Sequence, residues 1–147
     1  MILRISGKHF EAEACARSTK LPVCNVYKRG QLGPLKKRSK TAGVNIVLLR
    51  TRSFNQNLYG LVNRVSKVVA MSRPELCRLR SFRGVEHMCL DFAINELDVA
   101  GQFEQIPYEF LRDLGQLRID LEISIYHAFK GKRKSLNLCR LCGRPIP

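Results

Sequence analysis

Two rhythms of apolar positions divide this chain. In Val85–Asn95, Met88, Leu90, Phe92 and Ile94 alternate with His87, Cys89, Asp91 and Asn95. In Arg118–Tyr126, Ile119, Leu121, Ile123 and Ile125 alternate with Arg118, Asp120, Glu122 and Ser124. A period of two predicts strands with the apolar set facing inward. Between Ser53 and Val69 the rhythm changes. Phe54, Leu58, Leu61, Val62, Val65, Val68 and Val69 form one helical stripe, with Asn57, Arg64 and Lys67 on the other side and Ser53 placed as N-cap.

The remaining elements follow from local signals. Ile2–Ser6 reads as a first strand, with a turn at Gly7-Lys8. Phe10–Ser18 is rich in helix formers, carries its acids in the first turn and is stopped by Leu21-Pro22. Pro22–Lys28 reads as a strand ended by Gly30. Arg29–Gly43 is a loop broken by glycine and proline. Val44–Arg50 is apolar at nearly every position, as expected of a central strand covered on both faces. Ser72-Arg-Pro-Glu75 has capping-box spacing and opens a short helix through Leu79. Glu96–Gln105 reads as a loop, and Pro107–Leu114 as a helix stopped by Gly115.

The predicted order is strand, helix, strand, strand, helix with a short companion, strand, helix, strand. Its first six main elements match the βαββαβ order of a ferredoxin-like sandwich, so the expected class is α+β with an appended helix and strand. The expected organisation is one domain over residues 1–129 and a flexible, basic, cysteine-containing tail over 130–147. At 147 residues and 45% apolar, the chain can bury a sizeable core.

Charge adds an asymmetry. Residues 1–90 hold 18 Lys+Arg against 4 Asp+Glu, residues 91–129 hold 2 against 8, and residues 130–147 hold 6 against 0. The total of +14 favours an acidic partner without saying whether it is protein, nucleic acid or membrane. No apolar run reaches the length of a membrane span. Charges within Met1–Lys8 break what would be the core of a secretory signal, so a cytoplasmic location is expected. Cysteines in such a compartment stay reduced, and Cys15, Cys24, Cys77 and Cys89 are expected to be mostly buried thiols.

The opening Leu3-Arg4-Ile5-Ser6-Gly7-Lys8, followed by Phe10, Pro22 and Gly30, resembles the bacterial family called domain of unknown function 4279. Leu111, Leu114, Gly115 and the alternating strand ending in Tyr126 extend the resemblance over about residues 1–129. The resemblance implies an α+β domain of this length without enzymatic activity, with some relatives in toxin–immunity settings. It brings no catalytic residues. This chain departs from the family pattern in lacking tryptophan, in its strong basicity and in its cysteine-containing end.

Candidate chemistry is sparse. His87 and Asp91 share a strand face but stand roughly 13 Å apart along the strand, and Cys89 is roughly 6.6 Å from each. Both spans are long for a nucleophile–base pair, so no catalytic residue is expected. Cys139 and Cys142 have the spacing of one half of a zinc knuckle. No second such pair exists, so a tail with two thiols and no cofactor is the expectation, with zinc as the alternative. Lys36, Lys37, Arg38 and Lys40 form a basic loop able to meet an acidic protein partner or, with Lys130–Lys134, nucleic-acid phosphates. If the last two strands neighbour the first, Arg4, Asp91, Asp120, Glu122 and Ser124 form a mixed-charge surface suited to protein recognition. The leading expectation is a non-enzymatic binding module, concretely an immunity protein that neutralises a bacterial toxin. The alternative is a basic protein that contacts nucleic acid through residues 36–40 and the tail.

Overall fold

A computed structural model describes residues 1–32, 38–50, 58–95 and 105–126. Nine elements follow one another: β1 (Ile2–Gly7), α1 (Ala12–Ser18), β2 (Val23–Tyr27), β3 (Ala42–Val47), α2 (Leu58–Met71), α3 (Arg73–Arg80), β4 (His87–Asn95), α4 (Tyr108–Gln116) and β5 (Asp120–Tyr126). The protein is α+β, with a mixed five-stranded sheet in the order β2-β3-β1-β4-β5. β1 lies between β3 and β4, antiparallel to both, and β2 runs antiparallel to β3. β5 joins β4 in parallel, which requires the crossover that α4 supplies.

The helices lie on one face of the sheet. Leu3, Ile5, Val44, Ile46, Met88, Leu90, Phe92 and Ile94 meet Leu58, Leu61, Val62, Val65 and Val69 of α2, Leu76 and Leu79 of α3, and Phe110 and Leu114 of α4 in one buried cluster. Phe110 seats α4 against Phe92 edge-on, with ring centroids 6.0 Å apart. No helix among the described residues is long and apolar enough to cross a membrane.

Several expectations are corrected by the tertiary context. α1 begins at Ala12 and ends at Ser18, before Leu21-Pro22; Phe10 precedes it as a core residue, edge-on to Phe82. β3 spans Ala42–Val47, starting two residues and ending three residues earlier than expected. It packs against the helices through buried Val44 and Ile46, while Asn45 and Val47 on the other face are half-buried. Ser72 makes no side-chain cap, because the chain reaches it already helical. Its N–H is donated to Val68 O and its carbonyl accepts from Leu76, so the N–H that a Glu75 side chain would satisfy in a capping box is already taken. Pro74, which has no N–H to donate, marks the seam between α2 and α3.

Gly115 does not stop α4, which runs on to Gln116. The turn comes at Arg118, which takes the left-handed conformation (φ 53). Arg118 N–H donates to Gly115 O and Ile119 N–H to Leu114 O, the paired bonds of a Schellman ending, and Leu114 and Ile119 are both buried. Ile123 and Ile125, expected inward, are exposed. They sit beside buried Phe92 and Ile94 in register, but at the sheet edge. Of the four cysteines expected to be mostly buried, only Cys15 is; Cys24 and Cys89 are half-buried and Cys77 is exposed.

Two glycines let the end of β1 meet the α3–β4 connection. A Cβ on Gly7 would lie 1.9 Å from Gly84 O, and one on Gly84, itself at φ +81, would lie 2.4 Å from His9 O. The expected N-cap Ser53, the start of the stripe at Phe54, most of the loop at 96–105 and the tail at 130–147 lie outside the described residues.

Candidate functional site

The sheet face opposite the helices carries the polar half of every alternating strand. Cross-strand register sets Arg4 beside Asn45 on β3 and Cys89 on β4. The same register sets Cys89 beside Asp120, Asp91 beside Glu122 and Ala93 beside Ser124 on β5. β1, β4 and β5 are therefore neighbours, and Arg4, Asp91, Asp120, Glu122 and Ser124 share one surface.

The side chains on that surface are linked. Arg4 Nη2 donates to Glu122 Oε2 and lies 3.9 Å from Asp91 Oδ2. Ser124 Oγ donates to the other Asp91 oxygen at 2.8 Å, and Cys89 Sγ lies 3.8 Å from Glu122 Oε2. Burial works against the Arg4 charge, but the bond to Glu122 and the field of Asp91 outweigh it, so its pKa rises. The same bond from Arg4 holds the Glu122 carboxyl below the usual range. Burial pushes the Cys89 thiol up, with Arg4 opposing. A thiol raised in this way is a poor nucleophile near neutral pH.

Three further residues extend the surface towards β2. Tyr27 lies over Gly43, where any Cβ would meet its ring at 2.3 Å. Burial raises the Tyr27 hydroxyl pKa, partly countered by Arg4 and by hydrogen bonds with Ser6 and Thr41. Beside Arg4, Asn45 Oδ1 is buried with no hydrogen-bond partner among the described residues. Sequence reasoning overlooked Asn45, although it is the one polar position inside the apolar run of β3.

The basic loop lies elsewhere. Arg38 and Lys40 are exposed on the β2–β3 connection, where Arg38 pairs with Leu32 in an isolated bridge and its Nη1 donates to Gly30 O at 3.3 Å. Lys36 and Lys37 lie outside the described residues, as do Cys139 and Cys142. Among the described residues no group of three or more His, Cys, Asp and Glu side chains is arranged to hold a metal ion. A shallow cleft of about 380 Å³ between α1 and β2 is lined by Phe10, Glu13, Arg17, Tyr27 and Lys28, and is crossed by the Lys28–Glu13 ion pair at 2.9 Å.

Fold and surface together define an α+β protein with helices on one side of its sheet and a cross-linked polar face on the other. Comparison with protein-family models, curated proteins and solved structures returned no match to this chain.

Proposed function

We propose that this chain is a non-enzymatic protein-binding module that recognises its partner through the open sheet face. Concretely, it acts as a cytoplasmic immunity protein that neutralises a cognate bacterial toxin by direct binding. The observation that carries this reading is the Arg4 cluster. A guanidinium held between Asp91 and Glu122, with Ser124 bracing Asp91, presents fixed charges of both signs on a rigid sheet. Fixed mixed charge selects partners by complementarity rather than by bulk attraction.

The strand order and pairing senses support a ferredoxin-like arrangement for β1 to β4, with α4 and β5 appended. The resemblance to domain of unknown function 4279 points the same way on function. The partner that fits offers cations to Asp120 and Glu122 and acidic groups to the basic loop.

A second reading, a nucleic-acid-associated protein, has its own observation. Residues 58–83 carry Arg64, Lys67, Arg73, Arg78, Arg80 and Arg83 against the single acid Glu75, which Arg78 already engages. Affinity purification of the tagged full chain, with and without nuclease, separates the two. One stoichiometric, nuclease-resistant protein, lost on Glu122→Lys in a folded variant, supports protein recognition. Nucleic acid in the eluate, with affinity falling linearly in log salt, refutes it and supports the second reading.

A further inference from the structure

Among the described residues β5 is a sheet edge with no strand on its outer side. Edge strands are normally blunted by charged side chains, above all lysine, by proline, by bulges or by shortness. The opposite edge, β2, is five residues long, follows Pro22, carries a register shift and runs into Lys28 and Arg29. β5 has seven residues, Asp-Leu-Glu-Ile-Ser-Ile-Tyr, with unbroken register to β4 and no lysine, proline or bulge; its only charges, Asp120 and Glu122, lie on the polar side. Among the described residues no strand pairs with its outer edge. Ile123 is 39% exposed and Ile125 60% exposed.

We propose that β5 pairs antiparallel with β5 of a second copy of this chain, about a two-fold axis through Ile123, joining the two sheets into one. The sequence of β5 is self-complementary about that residue. Ile123 faces Ile123 of the copy, and Leu121 faces the copy's Ile125, all on the helix side. On the other side Glu122 faces Ser124 and Asp120 faces Tyr126, so each carboxylate meets a hydroxyl-bearing side chain and no like charges oppose. An axis through Glu122 instead would set two glutamates against each other.

The helices fit the same geometry. α4 lies over β4 and β5, with Phe110 on Phe92. Its Gln116 flank is turned towards α3, where Arg73 Nη2 donates to Gln116 Oε1 at 2.7 Å. Helical spacing puts exposed Leu111 and Gly115 on the opposite flank, towards the free edge. Strands about 4.8 Å apart place α4 and its copy two strand spacings apart, about 10 Å. That matches the separation of packed helices, so the Leu111 flanks close over Ile123 and Ile125.

The test is sedimentation equilibrium of the full chain over a range of concentrations, with far-ultraviolet circular dichroism to confirm folding. The expected mass rises to twice the 16.8 kDa of one chain. Ile123→Lys sets two ammonium groups face to face and weakens the dimer at least about 100-fold, with the dichroism spectrum unchanged. If that variant fails to fold, Ile125→Lys gives the same readout at a more exposed position. A single-chain mass at every concentration, or a dimer that neither substitution weakens, overturns the proposal.

Discussion

Glu75 ties α3 to the end of α1, and its removal makes a prediction with a pH signature. Its carboxylate accepts Thr19 Oγ1 at 2.8 Å, the Lys20 N–H at 3.1 Å, Arg78 Nε at 2.8 Å and Arg78 Nη2 at 2.7 Å. Arg78 Nη2 also reaches Ser18 O at 3.1 Å, so one ion pair clamps the α1 C-terminus. The bonds from Arg78 come first among the causes that hold the Glu75 pKa down at about 2, from 4.5. At about 1.36 kcal/mol per unit that shift corresponds to an upper bound of about 3–4 kcal/mol. The Glu75 side chain is 16% exposed, but that of Arg78 is 41% exposed, and water screens the pair. The expected cost of Glu75→Gln at pH 7 is therefore about 1–2 kcal/mol. Because the folded pKa is depressed, this stability is fully present above pH 4.5 and is lost as pH falls through about 2. Urea unfolding of both proteins from pH 7 down to pH 2 should show the gap closing across that window. A gap that stays constant with pH, or is absent at pH 7, would refute the assignment to the charged carboxylate.

Three other expectations can be checked by the same unfolding measurements. Gly84→Ala, which puts a Cβ 2.4 Å from His9 O at a positive φ, should cost about 2–4 kcal/mol, and a cost under ~0.5 would contradict the close approach. Arg118→Gly should stabilise the protein by about 0.5–1 kcal/mol by relieving the left-handed residue that ends α4; a loss of stability would show that the Arg118 side chain matters more than its backbone. Asn45→Val should leave the protein equal or more stable by up to about 1 kcal/mol, since a buried acceptor with no partner among the described residues disappears. A clear loss of stability would mean that the Asn45 side chain serves the fold through contacts a valine cannot replace.

Most strands and helices were legible because each has its own sequence rhythm. The β4 alternation fixed which side chains are buried, and the apolar stripe of α2 continued as expected from Leu58 to Val69. The five residues of the mixed-charge surface were also readable, because alternation fixes the face each one occupies. What alternation cannot give is which strands are neighbours. Only the order β1-β4-β5 brings Arg4 to Glu122 across two strands and 118 positions of sequence.

Element ends and edges escaped the sequence for the same reason. Gly115 looks like a helix stop, but α4 ends where Ile119 must return to the core, and the left-handed turn falls on an arginine. Ser72 and Glu75 have capping-box spacing, yet Val68 already holds the Ser72 N–H and Glu75 is drawn to Thr19, Lys20 and Arg78. Ile123 and Ile125 have the pattern of core residues, and their exposure comes solely from the edge position of β5. The sequence by itself determined the class of the fold, the elements and the facing of their side chains, because periodicity and propensity act within a few residues. The tertiary structure alone decided strand order, the capture of Glu75, the helix ending at Arg118 and the place of β5 at the end of the described sheet, because each depends on groups brought together from distant parts of the chain.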